Sequence, residues 1–490
     1  MMLDADAAYL ALKSRDARFD GRLFVGVTST GIYCRPICRV RLPRRENCRF
    51  FETAAQAEAE AFRPCLKCRP EIAPGPGLAW SVTDASRTLA RQAAGWLDAQ
   101  AGAGPVPRLS VIAMRLGVSD RHLRRIFQAE HGVTPVQYLQ TRRLLTAKQL
   151  LTDTRLPVSQ VALASGFGSL RRFNSAFVHS YRMSPSRLRD QVVGDRLLAD
   201  DAVSVTLAYR APYDTHGLLR FLAQRAIPGI EQVEGLRIRR TVRAGLAGAP
   251  EGWVQAEFAP ERSQVRLRYA VSLAPATTAL LAATRRWLDL DAMPQAIDAA
   301  LQPLGGPPGL RLPGSIDAFE LAVRAILGQQ VSIAAARTLA TRLVERYGSP
   351  VATPWPAVER AFPSPQVLTA AGASEIASLG IVGTRAQAIA ALAGAWPGIE
   401  LHLLPHRTPE GLVAALCELP GIGPWTAHYI AMRALGWPDA FLPHDVALHK
   451  AMRVRYGCDS SREAEAIAQA WRPWRSYAVL RLWNSLENAS

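Results

Sequence analysis

Cysteine is scarce in this chain, seven in 490 residues, and five of the seven fall within the first 68. So thin a supply excludes a disulfide framework, and in a reducing compartment a local cluster favours a metal. No apolar run approaches the length of a membrane span, and Met1-Met2-Leu3-Asp4-Ala5-Asp6 carries acids where a secretory leader carries Lys or Arg. A cytoplasmic protein without a membrane partner is expected. Acidic residues are short as well: 41 Asp and Glu face 58 Lys and Arg, for a net charge of +17 and a pI near 10.1. The excess is Arg rather than Lys, which suits bidentate phosphate contacts, so nucleic acid is the default partner, ahead of a merely solvated basic surface.

The length fits three or four domains of ordinary size, each with its own core. Pro and Gly clusters mark joints at Ala73-Pro74-Gly75-Pro76-Gly77, Gly102-Ala103-Gly104-Pro105-Val106-Pro107 and Gly305-Gly306-Pro307-Pro308-Gly309. Residues 108 to 190 show helical apolar spacing and hold 14 Lys and Arg against 4 Asp and Glu. That stretch alone supplies most of the net charge. Short alternating segments, Val203-Ser204-Val205-Thr206-Leu207 and Val265-Arg266-Leu267-Arg268-Tyr269, read as antiparallel strands, and from Asp317 the pattern is helical again.

The clustered cysteines are spaced Cys34-x3-Cys38 and Cys65-x2-Cys68. Two short loops of that spacing bring four thiolates onto one tetrahedral Zn²⁺, leaving a formal charge of −2 on the metal and its sulfurs. A zinc-bound thiolate stays nucleophilic at neutral pH, and Arg35, Arg39, Arg63 and Lys67 are expected to draw a DNA backbone towards it. A purely structural zinc is the plainer alternative. Cys48 lies outside the spacing and reads as a bystander.

Two segments of the basic stretch follow helix-turn-helix logic. Gly117 and Gly166 supply the turns, Ser119 and Ser169 cap the second helices, and Arg121, Arg124, Arg125, Arg171 and Arg172 on those helices can reach a major groove. A wet helix face would look similar in one copy, but two copies separated by a long helix favour DNA binding.

The text Gly31-Ile32-Tyr33-Cys34-Arg35-Pro36-Ile37-Cys38 with Phe62-Arg63-Pro64-Cys65-Leu66-Lys67-Cys68 resembles the N-terminal domain of the Ada family over about residues 10 to 72. The resemblance implies that this domain removes a methyl group from methyl phosphotriesters in DNA onto one zinc-bound cysteine, Cys34. Methylation would lower the negative charge of the site by one and weaken its repulsion of phosphates, as a switch requires. With Phe173, Phe177, Met183-Ser184-Pro185 and Arg187, the middle stretch resembles an AraC-type DNA-binding domain.

Residues 203 to 486 resemble the alkylbase glycosylase AlkA of the helix-hairpin-helix superfamily. The likeness runs through Ala211-Pro212-Tyr213-Asp214, Leu310-Arg311-Leu312-Pro313-Gly314, Ala325-Ile326-Leu327-Gly328-Gln329, Leu419-Pro420-Gly421-Ile422-Gly423, Phe441-Leu442-Pro443-His444-Asp445 and Pro473-Trp474-Arg475-Ser476-Tyr477. It implies that Gly421 and Gly423 offer bare backbone N–H groups to a phosphate, and that the Asp445 carboxylate stabilises the positive charge that develops on the sugar. It also implies that Trp425, Tyr429 and Trp474 face a flipped, cationic alkylpurine such as 3-methyladenine.

Three absences refine that picture. Trp425 stands where lyases of the superfamily carry a nucleophilic Lys, so no Schiff-base step is expected. Only Cys458 follows Asp445, too few cysteines for an iron-sulfur cluster. No Pro-Cys-His-Arg word occurs, so direct repair of O6-methylguanine is not implied. One departure stands out: Gln330 replaces the leucine that wedges into the gap left by the flipped base.

The expected architecture is multidomain and mainly α. A small zinc-bound α/β domain spans 1–78, an AraC-type double helix-turn-helix 79–192, a small antiparallel α+β domain 202–312 and an all-α helix-hairpin-helix glycosylase domain 313–490. The expected function is repair of and response to DNA alkylation: a monofunctional alkylpurine glycosylase fused to a methyl phosphotriester sensor. Double-stranded DNA, both alkylated and promoter or operator, is the expected partner, with RNA polymerase a further one. Two rivals stand beside it. In one, a non-enzymatic regulator has a C-terminal half that only binds damaged DNA; in the other, an active glycosylase is anchored by a front half with structural zinc.

Overall fold

In a computed structural model the described residues are 4–75, 85–99, 108–192, 202–243, 251–404 and 407–487. Of the three Pro and Gly joints, the whole of the second and the end of the first lie outside them. The chain divides into two compact units, Met1–Ala211 with Ser263–Ala282, and Pro212–Arg262 with Ala283–Ser490.

The first unit opens with a four-stranded sheet. Phe24–Val27 is flanked antiparallel by Cys48–Phe51 and Ile32–Cys34, and Ile32–Cys34 runs parallel to Arg63–Pro64. Alternation along Phe24–Val27 sends Val25 to one face, against Ala8, Leu12 and Leu23, and Phe24 to the other, against Tyr33, Phe51 and Phe62. Both faces are covered, which lets so small a sheet hold a core.

Two helix-turn-helix pairs follow, Leu109–Arg115 with Asp120–His131 and Val158–Ala164 with Leu170–Tyr181. The turns are made as the sequence predicts: Gly117 and Gly166 adopt φ of 69° and 83°, which glycine tolerates without strain. Ser119 Oγ accepts the His122 N–H at 3.2 Å, and Ser169 Oγ accepts that of Arg172 at 3.4 Å. In the second pair an aromatic ladder, Phe167, Phe173, Phe177 and Tyr181, fills the core at ring separations of 4.6 to 5.5 Å.

Between the pairs runs the helix Pro135–Asp153, started by a Thr134/Gln137 capping box with Pro at its first turn. It buries polar residues rather than an apolar stripe alone. Thr141 donates to Glu58, which also accepts from Tyr33, and Lys148 pairs with Glu71 at 2.5 Å. Gln149 donates to the Thr206 carbonyl, and Asp153 accepts the Thr206 N–H while pairing with Arg69. Thr206 belongs to the strand Ala202–Ala208, which pairs antiparallel with Gln264–Ala270. The two alternating sequence segments are these strands.

The second unit contains the antiparallel meander Glu231–Glu234, Arg237–Arg243 and Glu251–Ala259, and a helical body. Glu231, Arg240, Glu320 and Arg324 form a buried ion-pair network between the meander and the helix Ala318–Leu327. Each charge there has an opposite partner, the condition for burying charge at all. The main apolar core gathers Ala318–Leu327, Gly383–Ile399, Pro424–Leu435 and Arg475–Glu487. Among the described residues no helix is long and apolar enough to cross a membrane.

Candidate active site and DNA-binding surfaces

In the second unit the helix Pro409–Cys417 turns through Leu419-Pro420-Gly421-Ile422-Gly423 into the helix Pro424–Leu435. Ile422 plugs the core while the two glycines serve different ends. Gly421 adopts φ of 78°, and a Cβ there would lie 2.8 Å from the Ala388 Cβ, so the close approach of the hairpin turn to the helix Gly383–Ile399 demands glycine. Gly423 has an ordinary φ of −88° and nothing within 4 Å of a Cβ. It caps the helix without any side-chain hydrogen bond, so the first N–H groups remain open to an anion.

One helical turn on, Trp425 and Tyr429 stack with centroids 5.4 Å apart and planes within 7°. The Trp425 Nε1–H donates to Asp445 Oδ2 at 2.9 Å. Asp445 also caps the helix Val446–Tyr456, its Oδ1 accepting the Leu448 N–H at 2.7 Å. A third donor, the Trp483 Nε1–H, reaches Oδ1 at 2.9 Å. Three N–H groups from three helices thus fix both carboxylate oxygens beside an aromatic face.

Trp474 stands elsewhere. Its ring meets Tyr477 edge-on at 6.0 Å, and among the described residues no ring contact or hydrogen bond joins it to Asp445, Trp425 or Tyr429. Trp483, not Trp474, lies beside these residues: it donates to Asp445, and its ring is 6.5 Å from that of Tyr429. Sequence reasoning missed Trp483 because Trp474 sits inside a recognisable word, whereas Trp483 lies two turns into the helix Arg475–Glu487 among apolar core positions.

Arg433 is a second residue the sequence did not flag. It is 7% exposed, donates to the Pro313 and Gly314 carbonyls, and gives Nη1–H to the Tyr429 hydroxyl at 2.7 Å. Burial alone would push the Tyr429 phenol up, but the Arg433 charge beside it brings it below its ordinary value.

Gln329 Nε2 donates to the Gly421 carbonyl and to Thr426 Oγ1, both at 3.0 Å, and Arg385 donates to the Gln329 carbonyl at 2.5 Å. Gln330 follows, exposed, with φ of 53°.

In the first unit, parallel pairing of Ile32 with Arg63 and Tyr33 with Pro64 sets the ends of two strands side by side. This register brings Cys34 and Cys38 to Cys65 and Cys68, with the four Sγ atoms all within 4.8 Å of one another. Tetrahedral ligands at the usual Zn–S distance lie ~3.8 Å apart, so the cluster fits a metal of that kind. Hydrogen bonding among the sulfurs, first between Cys34 and its neighbours, pushes the Cys34 and Cys68 thiols up and pulls Cys65 down. Four thiolates in one buried corner need a cation. Cys48 Sγ donates instead to the Arg44 carbonyl, apart from the cluster.

The expected cationic rim is partly corrected. Arg35 is buried at 4% exposure, its guanidinium paired with Asp20 and donating to the Cys68 carbonyl, so it braces the site rather than meeting a phosphate. Arg39 and Lys67 are exposed. Cys34 and Cys38 line a cleft of about 40 Å³ whose walls include Lys13 and Arg15. Arg121, Arg124, Arg125, Arg171 and Arg172 are all exposed on the second helices of the two helix-turn-helix pairs. Arg124 pairs with Asp120 at 3.2 Å, an exposed contact that a phosphate or base can replace.

Four family models match the chain: the metal binding domain of Ada over residues 7–71, a helix-turn-helix domain over 112–191, the AlkA N-terminal domain over 204–317, and the HhH-GPD superfamily base excision DNA repair protein over 323–476. A Mycobacterium tuberculosis protein named "Probable bifunctional transcriptional activator/DNA repair enzyme AlkA" is 38% identical over 99% of this chain and 97% of its own. The chain belongs to this bifunctional Ada–AlkA family. The DNA-3-methyladenine glycosylase 2 of Escherichia coli is 37% identical over 57% of this chain and 96% of its own length. The bifunctional transcriptional activator/DNA repair enzyme Ada of the same organism is 33% identical over 34% of this chain and 43% of its own. A four-cysteine metal site and DNA-binding helix-turn-helix and glycosylase domains therefore belong to this chain as family features.

Proposed function

We propose that the C-terminal half is a monofunctional DNA-3-methyladenine glycosylase in which Asp445 is the catalytic carboxylate. The observation that carries this reading is the Asp445 carboxylate held by the Trp425 and Trp483 Nε1–H groups against the Trp425–Tyr429 stack. A cationic alkylpurine swung out of the duplex would lie against those rings. As the bond between the base and C1′ breaks, its electron pair leaves with the base, which departs neutral. Positive charge grows on the sugar, where the fixed carboxylate stabilises it, and water adds to C1′ while its proton passes to the carboxylate. Gly423 and the open start of its helix would grip a phosphate beside the lesion, Gln330 would enter the gap, and Trp474 would serve the core rather than the pocket.

The front half, on this reading, is a methyl-accepting sensor with zinc on Cys34, Cys38, Cys65 and Cys68. Zinc would keep the four sulfurs deprotonated and nucleophilic. The Cys34 thiolate attacks the methyl carbon of a phosphotriester; the C–O bond breaks, its electrons stay on the phosphate, and a thioether forms on Cys34. Lys13 and Arg15 beside the cleft would hold that phosphate, and the five exposed arginines would read an operator. Recruitment of RNA polymerase belongs to this activator reading, as do the domain limits 1–78, 79–192, 202–312 and 313–490.

The test is to incubate the purified chain with methylated duplex DNA. Free alkylpurines and abasic sites without borohydride-trapped adducts are expected. Intact DNA would leave only a damage-binding regulator, and efficient trapping would mean that a Lys acts as nucleophile.

A further inference from the structure

The segment between the helices Ala318–Leu327 and Ile333–Tyr347 is held at one point and strained at the next. Gln329 is clamped by its two hydrogen bonds to the hairpin and by Arg385 on its carbonyl. Gln330 is then forced to φ of 53°, a left-handed conformation that is strained for a residue with a Cβ and persists only where the surroundings dictate it. Ser332 starts the next helix by capping Ala335, so the backbone on both sides of Gln330 is fixed. Among the described residues the Gln330 amide has no hydrogen-bond partner, and Val331 and Ile333 beside it are 36% and 40% exposed. A polar side chain is thus presented on a rigid, strained tip, directly after the hairpin clamp, with apolar neighbours.

We propose that Gln330 reads the base left unpaired opposite the lesion and favours a pyrimidine there. The inference rests on the glycosylase reading above. An apolar wedge fills the gap but ignores the polarity of the orphan base. A glutamine amide carries a donor and an acceptor side by side, and so pairs in bidentate fashion with a Watson–Crick edge presenting the complementary pair. The fixed backbone limits its reach, and a pyrimidine leaves room for a side chain in the stack where an opposing purine occupies it. Because the partner of an alkylated purine in correctly paired DNA is a pyrimidine, the wedge would favour removal from original pairs over mispairs.

The experiment compares the full-length chain with Gln330→Leu, which keeps bulk while removing the amide. Single-turnover release of one 7-methylguanine is measured in four duplexes that differ only in the opposing base, and for each the wild-type rate is divided by the variant rate. This ratio cancels the intrinsic stability of each pair. It is expected to be about fivefold larger opposite C or T than opposite A or G, the worth of one net hydrogen bond. A ratio equal within twofold for all four bases overturns the proposal. If neither protein releases base, the glycosylase reading fails on its own, and dissociation constants for duplexes bearing a tetrahydrofuran abasic analogue opposite the same four bases decide the wedge by the same ratio.

Discussion

Cys34 shares a buried corner with three other sulfurs that compete for the same protons, whereas Asp445 lies among three N–H donors that all favour its charge. On the proposed reading, reactivity at the first site depends on a cation brought from outside, and at the second on neutral groups supplied by three helices of the same unit. An anion held by a metal is lost with the metal, while one held by hydrogen bonds degrades by steps as donors are removed.

The largest separation of the two sites should come from a chelator. Stripping the metal from the full-length chain is expected to abolish methyl uptake on Cys34, measured by mass spectrometry of its peptides after exposure to methyl phosphotriester DNA, and to leave base release within about twofold. Loss of both activities together would mean that the two sites are not independent. Next is Asp445→Asn, which keeps the helix cap but removes the charge. It should lower single-turnover base release by about 10² or more, with DNA affinity and Cys34 methylation retained. Near wild-type excision would remove Asp445 from the chemistry.

A smaller, graded loss should follow when one donor is taken away. Trp483→Phe is expected to cost about tenfold in base release, the scale of one hydrogen bond to a charged group. Trp474→Phe should stay within about threefold. Equal losses would return Trp474 to the pocket.

The smallest effect concerns the first unit. Burial pushes the Glu58 carboxyl up to about 8, with the bonds from Thr141 and Tyr33 opposing it. The folded state therefore binds this proton more tightly than the unfolded state. The stabilisation is complete below the unfolded value of 4.5 and is lost as pH rises through 8. Glu58→Gln should flatten this decline, seen as a smaller fall in melting temperature of the first unit between pH 5 and 9. An unchanged slope would place the titration elsewhere.

Much of this was legible in the chain because the signals are local. Cysteine spacing, turn glycines with Ser caps, and the Leu419 to Gly423 word each depend on a few adjacent residues and on backbone geometry that those residues dictate. What escaped depends on contacts between distant positions. Arg35 reads as a cation for phosphate until Asp20 is placed against it. Trp483 reads as one more core aromatic until the helix Arg475–Glu487 turns its indole towards Asp445. The parallel pairing that assembles the four sulfurs joins residues 31 positions apart, which no local pattern announces.

The helix Pro135–Asp153 has a practical consequence for anyone who would divide this chain. Gln149 and Asp153 hold both backbone groups of Thr206, and Asp153 also holds Arg69. A front-half fragment that stops after residue 192 would take from Gln149 its acceptor and leave the Asp153 carboxylate with Arg69 alone at the last turn of that helix. A fragment that runs on through 208, and carries the strand Gln264–Ala270 on a short artificial loop, would keep those groups satisfied.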